Sequence, residues 1–401
     1  MADWSNLPKD VVHVVADLLL ATNDVDCYVD MRAVCRNWRV TVPKPTPLGA
    51  GDDGRFRPRE WVMLDEKEPE DGVDGRLFLH VSTGRFVRRR LPSFGFDSRS
   101  KYILVGSSDG LLILGDQKGL HAARLLNPFT GDMLSFAAPI PRERHVIASV
   151  AGSSPTILFT FKDMCNDCTD MVYCADATSP LCEVQIEVLE DEDVFLKSIV
   201  SYAGHLYVLD CEGAIHKIVG TAPNYHAEFI AQTHGDCSFR DFFLAGSAGE
   251  LLLVALELTY TEEQGHQDPV DVFRVNIEQK VLEPVRNIGS QALFLGPRCL
   301  SVDADKLPHV DRNCIYYTLR LPFSNWDSIN RYDLKDSKVE SIRCMLNPAT
   351  ITRQMVRPFS LAQALIEYCG YEELEDVPSQ LQRVRNTRTL DMIRNAFQPQ
   401  E

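Results

Sequence analysis

Short runs of apolar residues recur along this chain at nearly equal intervals. That spacing narrows the possible folds more than any other feature. The runs begin near Trp61, Gly110, Thr156, Gly204, Gly249 and Asn313, at intervals of 49, 46, 48, 45 and 64 residues. Three share a Gly-x-Leu opening: Gly110-Leu111-Leu112-Ile113-Leu114, Gly204-His205-Leu206-Tyr207-Val208-Leu209 and Gly249-Glu250-Leu251-Leu252-Leu253-Val254. Turn formers punctuate them. Ser82-Thr83-Gly84 joins the run at Leu77 to Arg85-Phe86-Val87, and Ser107-Ser108-Asp109-Gly110 leads into Leu111. Runs of this kind read as strands and hairpins. A unit of about 45 to 50 residues has room for four strands, the size of a propeller blade. The expected fold is mainly β with small α modules, built on a β-propeller with six blades favoured and seven possible. A pair of β-sandwiches is the competing architecture. The long last interval implies an insertion or a further blade.

The first forty residues have a different period. Pro8 suits a helix start, and Asp10 puts negative charge in the first turn. Val11, Val12, Val14, Val15, Leu18, Leu19 and Leu20 then give a helix an apolar side too wide for a small module to cover alone. Ala21-Thr22-Asn23-Asp24 is a break, with Asn23 or Asp24 as the N-cap of the second helix. Met31, Val34, Cys35 and Trp38 stand at i, i+3, i+4 and i+7, which predicts one helical stripe. Pro43, Pro45 and Pro47 end that helix and begin a linker. Two short helices cannot bury a Trp, a Met and this many aliphatics between them. The surplus needs a partner, either the chain's own later domain or another protein.

Composition excludes several classes. The 401 residues are 45% hydrophobic and 24% charged, ordinary for a globular protein. The length calls for two or three domains or one large repeat fold. No apolar stretch is long enough for a membrane helix, and Met1-Ala2-Asp3-Trp4 does not begin a secretory signal. The expected location is therefore cytoplasmic or nuclear, and the twelve scattered cysteines read as reduced thiols. A net charge of −16 argues against a nucleic-acid partner. The acidic cluster Glu187–Asp193 reads as a solvated loop.

Leu7-Pro8, Asp10-Val11, Val34-Cys35-Arg36 and Trp38-Arg39 resemble an F-box in order and roughly in spacing. In that family the Leu-Pro corner and the aliphatics after it contact the small adaptor subunit of SCF-type ubiquitin ligases. The Cys and Trp of the second half serve the module's core and the same interface. The resemblance carries these adaptor-binding roles to Leu7, Pro8, Val11, Val12, Val15, Leu19, Val34, Cys35 and Trp38. The turn Thr22–Asp26 departs from the family pattern in being polar and slightly long. Further along, Gly106–Leu112 and Leu125-Leu126-Asn127-Pro128-Phe129-Thr130-Gly131 look like a characteristic blade of the plant F-box proteins with a kelch-like propeller, the KIB type. The Gly204 and Gly249 runs are similar in place and order, as are Ala292–Gly296 and Asn313–Tyr317. The resemblance runs from about residue 4 to about residue 345. It implies a plant substrate receptor of an SCF ligase, bound to the adaptor and through it to cullin, with an unknown target protein and no cofactor.

Other motifs read as structure. Asn127-Pro128-Phe129-Thr130-Gly131 is a turn with Phe129 packed beneath it. No nucleotide-binding loop, zinc-protease or nucleophile-elbow motif occurs, so no catalytic residue is expected. Cys165 and Cys168 have half of a zinc spacing, but Cys174 and Cys182 do not complete it, and no metal is expected. Arg85, Arg88, Arg89 and Arg90 form a basic patch that suits either a solvated face or an acidic partner segment. A tail of helices begins near Phe359, breaks at Asp376–Ser379 and carries Leu381, Val384, Leu390, Ile393 and Phe397 onward. The expected division is residues 1–43 F-box, 44–58 linker, 59–358 propeller and 359–401 helical tail. The chain is expected to be a non-catalytic receptor with no nucleic-acid or membrane partner. The alternative is a propeller scaffold whose F-box no longer engages a ligase.

Overall fold

The computed structural model describes residues 6–50, 53–64, 75–92, 100–118, 121–140, 146–161, 171–184, 196–233, 240–257, 270–296, 298–320, 327–342 and 361–369. Three helices open the chain: α1 (Lys9–Ala21), α2 (Val25–Val34) and α3 (Arg36–Thr41). Six sheets come next, each a blade. Blade 1 holds β1 (Trp61–Met63), β2 (Arg76–His80) and β3 (Phe86–Arg89). Blade 2 holds β4 (Tyr102–Ser108), β5 (Leu111–Asp116), β6 (Ala122–Leu126) and β7 (Met133–Pro139). Blade 3 holds β8 (Val146–Ala151), β9 (Thr156–Phe161), β10 (Met171–Asp176) and β11 (Cys182–Glu183). Blade 4 holds β12 (Leu196–Tyr202), β13 (His205–Asp210), β14 (Ile215–Thr221) and β15 (Asn224–Ala231). Blade 5 holds β16 (Arg240–Ser247), β17 (Glu250–Glu257), β18 (Val270–Asn276) and β19 (Val281–Pro284). Blade 6 holds β20 (Gln291–Phe294), β21 (Leu300–Asp303), β22 (Cys314–Arg320), β23 (Asp327–Asp333) and β24 (Lys338–Ile342), and α4 (Leu361–Cys369) comes last.

The repeated apolar runs have a single structural meaning. Those at Trp61, Gly110, Thr156, Gly204, Gly249 and Asn313 start β1, β5, β9, β13, β17 and β22, one strand in each of the six blades: β5, β9, β13 and β17 are second in their sheets, β1 is an edge strand and β22 is the middle of five. Such a strand has a sheet on either side, so alternate residues enter different cores. In β13, Leu206 and Val208 face blade 3, while Tyr207 and Leu209 face blade 5. A strand buried on both faces reads as an unbroken apolar run. Six apolar clusters fill the spaces between successive blades, and the last joins blade 6 to blade 1, closing the ring. Three of the hairpins repeat one turn, with positive φ at Asp109–Gly110, Ala203–Gly204 and Ala248–Gly249. Two successive residues in that region define the hairpin turn that matches strand twist.

The long last interval holds an insertion. β20 pairs parallel to β22, and β21 pairs along the other side of β20 as the edge of the sheet that faces β16 of blade 5. The described part of the tail packs on the propeller: Leu361, Ala362, Leu365, Ile366 and Cys369 of α4 are buried in the blade 6–blade 1 cluster. Tyr368 reaches β4 of blade 2, where its hydroxyl lies 3.1 Å from Ser107 Oγ. A Cβ on Gly296 would collide with the Cys369 carbonyl, so the chain passes this helix only without a side chain there. The stretch from Ser379 onward, the cluster Glu187–Asp193 and the Cys165–Cys168 pair lie outside the described residues. Cys174 and Cys182 are opposite one another across β10 and β11, and burial pushes the Cys174 thiol up to about 12.

Candidate functional site on the helical module

The helical module presents two unlike sides. Val12, Ala16 and Leu20 of α1 pack with Tyr28, Met31, Val42 and Phe56 in a small core, partly covered by Leu7, Leu19 and Trp38. The opposite side of α1 is apolar and open: Val11, Val14, Val15 and Leu18 are 41, 58, 37 and 61% exposed. These positions fall at i, i+3, i+4 and i+7, a single stripe. Val34 and Val40 add exposed apolar surface on α2 and α3.

Sequence-based roles are only partly compatible with this geometry. Pro8, Val11, Val15 and Val34 are exposed, while Leu7, Leu19, Cys35 and Trp38 are half-buried. Val12 is a correction. At 2% exposure it belongs to the module's own core and offers nothing to a partner. Val14 and Leu18 stand on the outward stripe instead; the sequence held them in the helix but carried no sign of which side faced out. The stripe expected through Met31, Val34, Cys35 and Trp38 is also broken. α2 ends at Val34, Cys35 is extended at φ −154° and ψ 169°, and its sulfur accepts from the Trp38 N–H at 3.4 Å. Cys35 therefore caps a third helix.

The turn that departs from the F-box pattern is where the module meets the propeller. Thr22 ends α1, its N–H donating to the Leu18 carbonyl at 3.1 Å. Asn23, at φ 55°, donates to the Arg57 carbonyl at 2.7 Å and accepts from the Glu60 N–H at 3.0 Å. Asp24 caps α2 by accepting from Cys27 N–H at 3.0 Å. Val25 is fully buried among Trp61, Met63, Phe78 and Leu112 of blades 1 and 2. Asp26 is clasped by Arg85 and Arg89 of blade 1. Two of the four arginines of the basic patch, Arg85 and Arg89, thus find their acidic partners in α2 and its cap, while Arg88 donates to the Gly75 carbonyl at 3.2 Å and Arg90 is exposed.

The expected linker is packed rather than free. Leu48, Phe56 and Arg57 are buried, the last at 3% exposure. The Arg57 guanidinium donates to the Gly152 carbonyl of blade 3 and lies 3.8 Å from the Asp109 carboxylate of blade 2. Both turn motifs hold this segment. Asn127 donates from Nδ2 to the Phe56 carbonyl at 2.9 Å and accepts from the Phe129 and Thr130 N–H groups at 3.1 and 3.2 Å. Phe129 packs under the turn against Trp61 and Phe78, with ring centroids 4.7 and 5.1 Å away. Asp132 accepts from Leu48 N–H. Gly110 sits so close to the Pro58 carbonyl that any Cβ would clash.

His80 lies beneath this joint. It is wholly buried and edge-on to Trp61 at 4.8 Å, with the Thr22 backbone, Glu60 and Asp24 acting on its ring. Burial holds its pKa below the usual histidine value, against the pull of Glu60 and Asp24.

Toward the axis, the inner strands carry hydroxyls. Ser108 Oγ lies 2.9 Å from Ser149 Oγ, and Ser247 Oγ lies 2.8 Å from Ser301 Oγ. Asp24, Asp26 and Cys27 are the one group of three possible metal ligands among the described residues. Arg85 and Arg89 already take both carboxylates. No helix of the described residues is long and apolar enough to cross a membrane.

A protein of Arabidopsis thaliana, provisionally named an F-box protein, is 33% identical over 89 residues. The matched stretch is 22% of this chain and 21% of that relative, so the chain spans about a fifth of the length of the curated relative it matches. A solved structure provisionally named 6-phosphogluconolactonase from Bacteroides uniformis is 15% identical, with a TM-score of 0.33, over 68% of this chain and 79% of that chain. A second, from Bacteroides fragilis, is 12% identical with a TM-score of 0.28, over 72% and 94%. Those two likenesses are too distant to bear on function. The family model described as KIB1-4 beta-propeller matches residues 78–344, well over half of the chain, and the chain belongs to that family.

Proposed function

We propose that this chain is the target-choosing subunit of an SCF-type ubiquitin ligase. The observation that carries the reading is the open stripe Val11, Val14, Val15 and Leu18, on a module whose inward side is already satisfied. Leaving such side chains in water forgoes about 1.5–3 kcal/mol for each that could be fully buried. A contiguous apolar stripe on an otherwise packed module suits a protein partner. The likeness of part of the chain to an F-box protein supports an SCF adaptor as that partner, with cullin reached through it. The propeller holds the target, and the chain itself catalyses nothing. Its contribution is tethering, which raises the effective concentration of target lysines.

The test is co-expression with a plant SCF adaptor and co-purification. The Val14→Asp/Leu18→Asp double variant should weaken adaptor binding on the order of 100-fold, because two buried contacts become buried charges. Leu7→Ala/Pro8→Ala should weaken it as well. A folded wild-type chain that retains no adaptor would overturn the reading.

A further inference from the structure

The seat of the helical module is charged as well as apolar. Asp26, 1% exposed, lies on the propeller-facing side of α2, where its Oδ2 accepts from Arg85 Nη1 at 2.9 Å and its Oδ1 from Arg89. The second arm of Arg85 goes to Asp24, and that of Arg89 to Asp30 at 3.1 Å. The Arg85 guanidinium also lies over the Trp61 ring, 4.9 Å from its centroid. The sequence spacing permits this match. Asp26 and Asp30 are one helical turn apart, while Arg85 and Arg89 share one side of β3 and its approach.

An apolar contact tolerates sliding, whereas a carboxylate bracketed by two planar guanidinium forks is satisfied in one orientation. Removing two charges from water offsets most of what their attraction gains, so a buried ion pair adds little stability over an apolar pair. Its physical advantage here is direction. The outward stripe sits on α1, away from this clasp, so the two sides of the module do different work.

We propose that Asp26, Arg85 and Arg89 are positioning residues that fix the helical module at one angle on the propeller. A protein docked on the α1 stripe and a protein held by the propeller then meet in one geometry. That consequence rests on the receptor reading above; the fixed angle does not. A stiff link concentrates acceptor lysines at one place, and a loose link spreads them.

The experiment uses the full chain and its Arg85→Ala/Arg89→Ala variant, with Arg89→Lys as the conservative variant. Hydrogen exchange of α2 and small-angle scattering are measured on the free chain. The chain's own modified lysines are then mapped by mass spectrometry in a reconstituted ligase. The double variant should bind adaptor as tightly as wild type, with a similar propeller melting temperature. Exchange in α2 should rise about tenfold, the maximum dimension should grow, and modification should spread to lysines that wild type leaves untouched. Arg89→Lys should fall between the two. Exchange, dimensions and lysine pattern all matching wild type would overturn the proposal. If wild type binds no adaptor, the receptor reading fails, and the exchange and scattering results still decide the fixed angle. If the double variant does not fold, Asp26→Asn, which removes only the charge, decides the same readouts.

Discussion

In β17, Leu251, Leu253 and Ala255 face blade 4 while Leu252, Val254 and Leu256 face blade 6, and all six are buried. In α1, Val12, Ala16 and Leu20 face the module's core while Val11, Val14, Val15 and Leu18 face outward. The two segments are almost equally apolar in sequence. A central blade strand has a neighbour on either side, so its apolar content is fully satisfied within the chain. A helix laid at the margin of the molecule has one neighbour, and its second apolar side is left for something else.

That contrast can be broken by substitution. Leu253→Ala in β17 should cost about 3 kcal/mol, as a cavity opens in a core with no room to collapse; denaturant unfolding measures it. A loss below about 1 kcal/mol would mean that the blade interface is looser than its packing implies. Gly110→Ala should cost about 2 kcal/mol, because its φ of 72° strains any side chain and a methyl there strikes the Pro58 carbonyl. Hydrogen exchange in the Gly54–Phe56 segment should rise in this variant before exchange in blades 4 and 5 does.

The joint between the two regions should respond to pH. His80 is neutral in the fold with its pKa lowered by burial, whereas the unfolded chain binds its proton near pH 6.5. The unfolded state therefore holds the extra proton below that value. The stability His80 permits is complete above about pH 6.5 and falls as pH drops toward its lowered folded pKa, by at most about 1.4 kcal/mol per pH unit. His80→Gln should remove that part of the slope between pH 6.5 and 5. An unchanged slope would assign the pH dependence to other groups. The smallest effect should come from Leu18→Ala, within about 0.5 kcal/mol for the free chain. The same change should measurably weaken a complex with an SCF adaptor, so stability and binding would separate in α1 as they cannot in β17.

Much of this was legible in the chain. The recurring runs marked one strand of each of the six blades because burial on both faces leaves no room for polar residues there. The module's helices were legible from their period. Other features were not. Val12 could not be told from Val14, because apolar residues occupy nearly every side of α1. Cys35 breaks the second helix by capping the third, a role that its residue type does not announce. The prolines after Val42 read as the start of a linker but carried no sign that turns from blades 2 and 3 pin Leu48, Phe56 and Arg57. The arginines at 85 and 89 find their acids some sixty residues earlier, in α2.

By itself the sequence determined the strand repeat and the helical module, because periodicity and turn chemistry act over a few residues. Only the tertiary structure decided which side of α1 stays open, that the polar turn Thr22–Asp26 seats the module, and that α4 belongs to the ring. Those outcomes depend on contacts between residues far apart in the chain, and local pattern carries no record of which partner arrives.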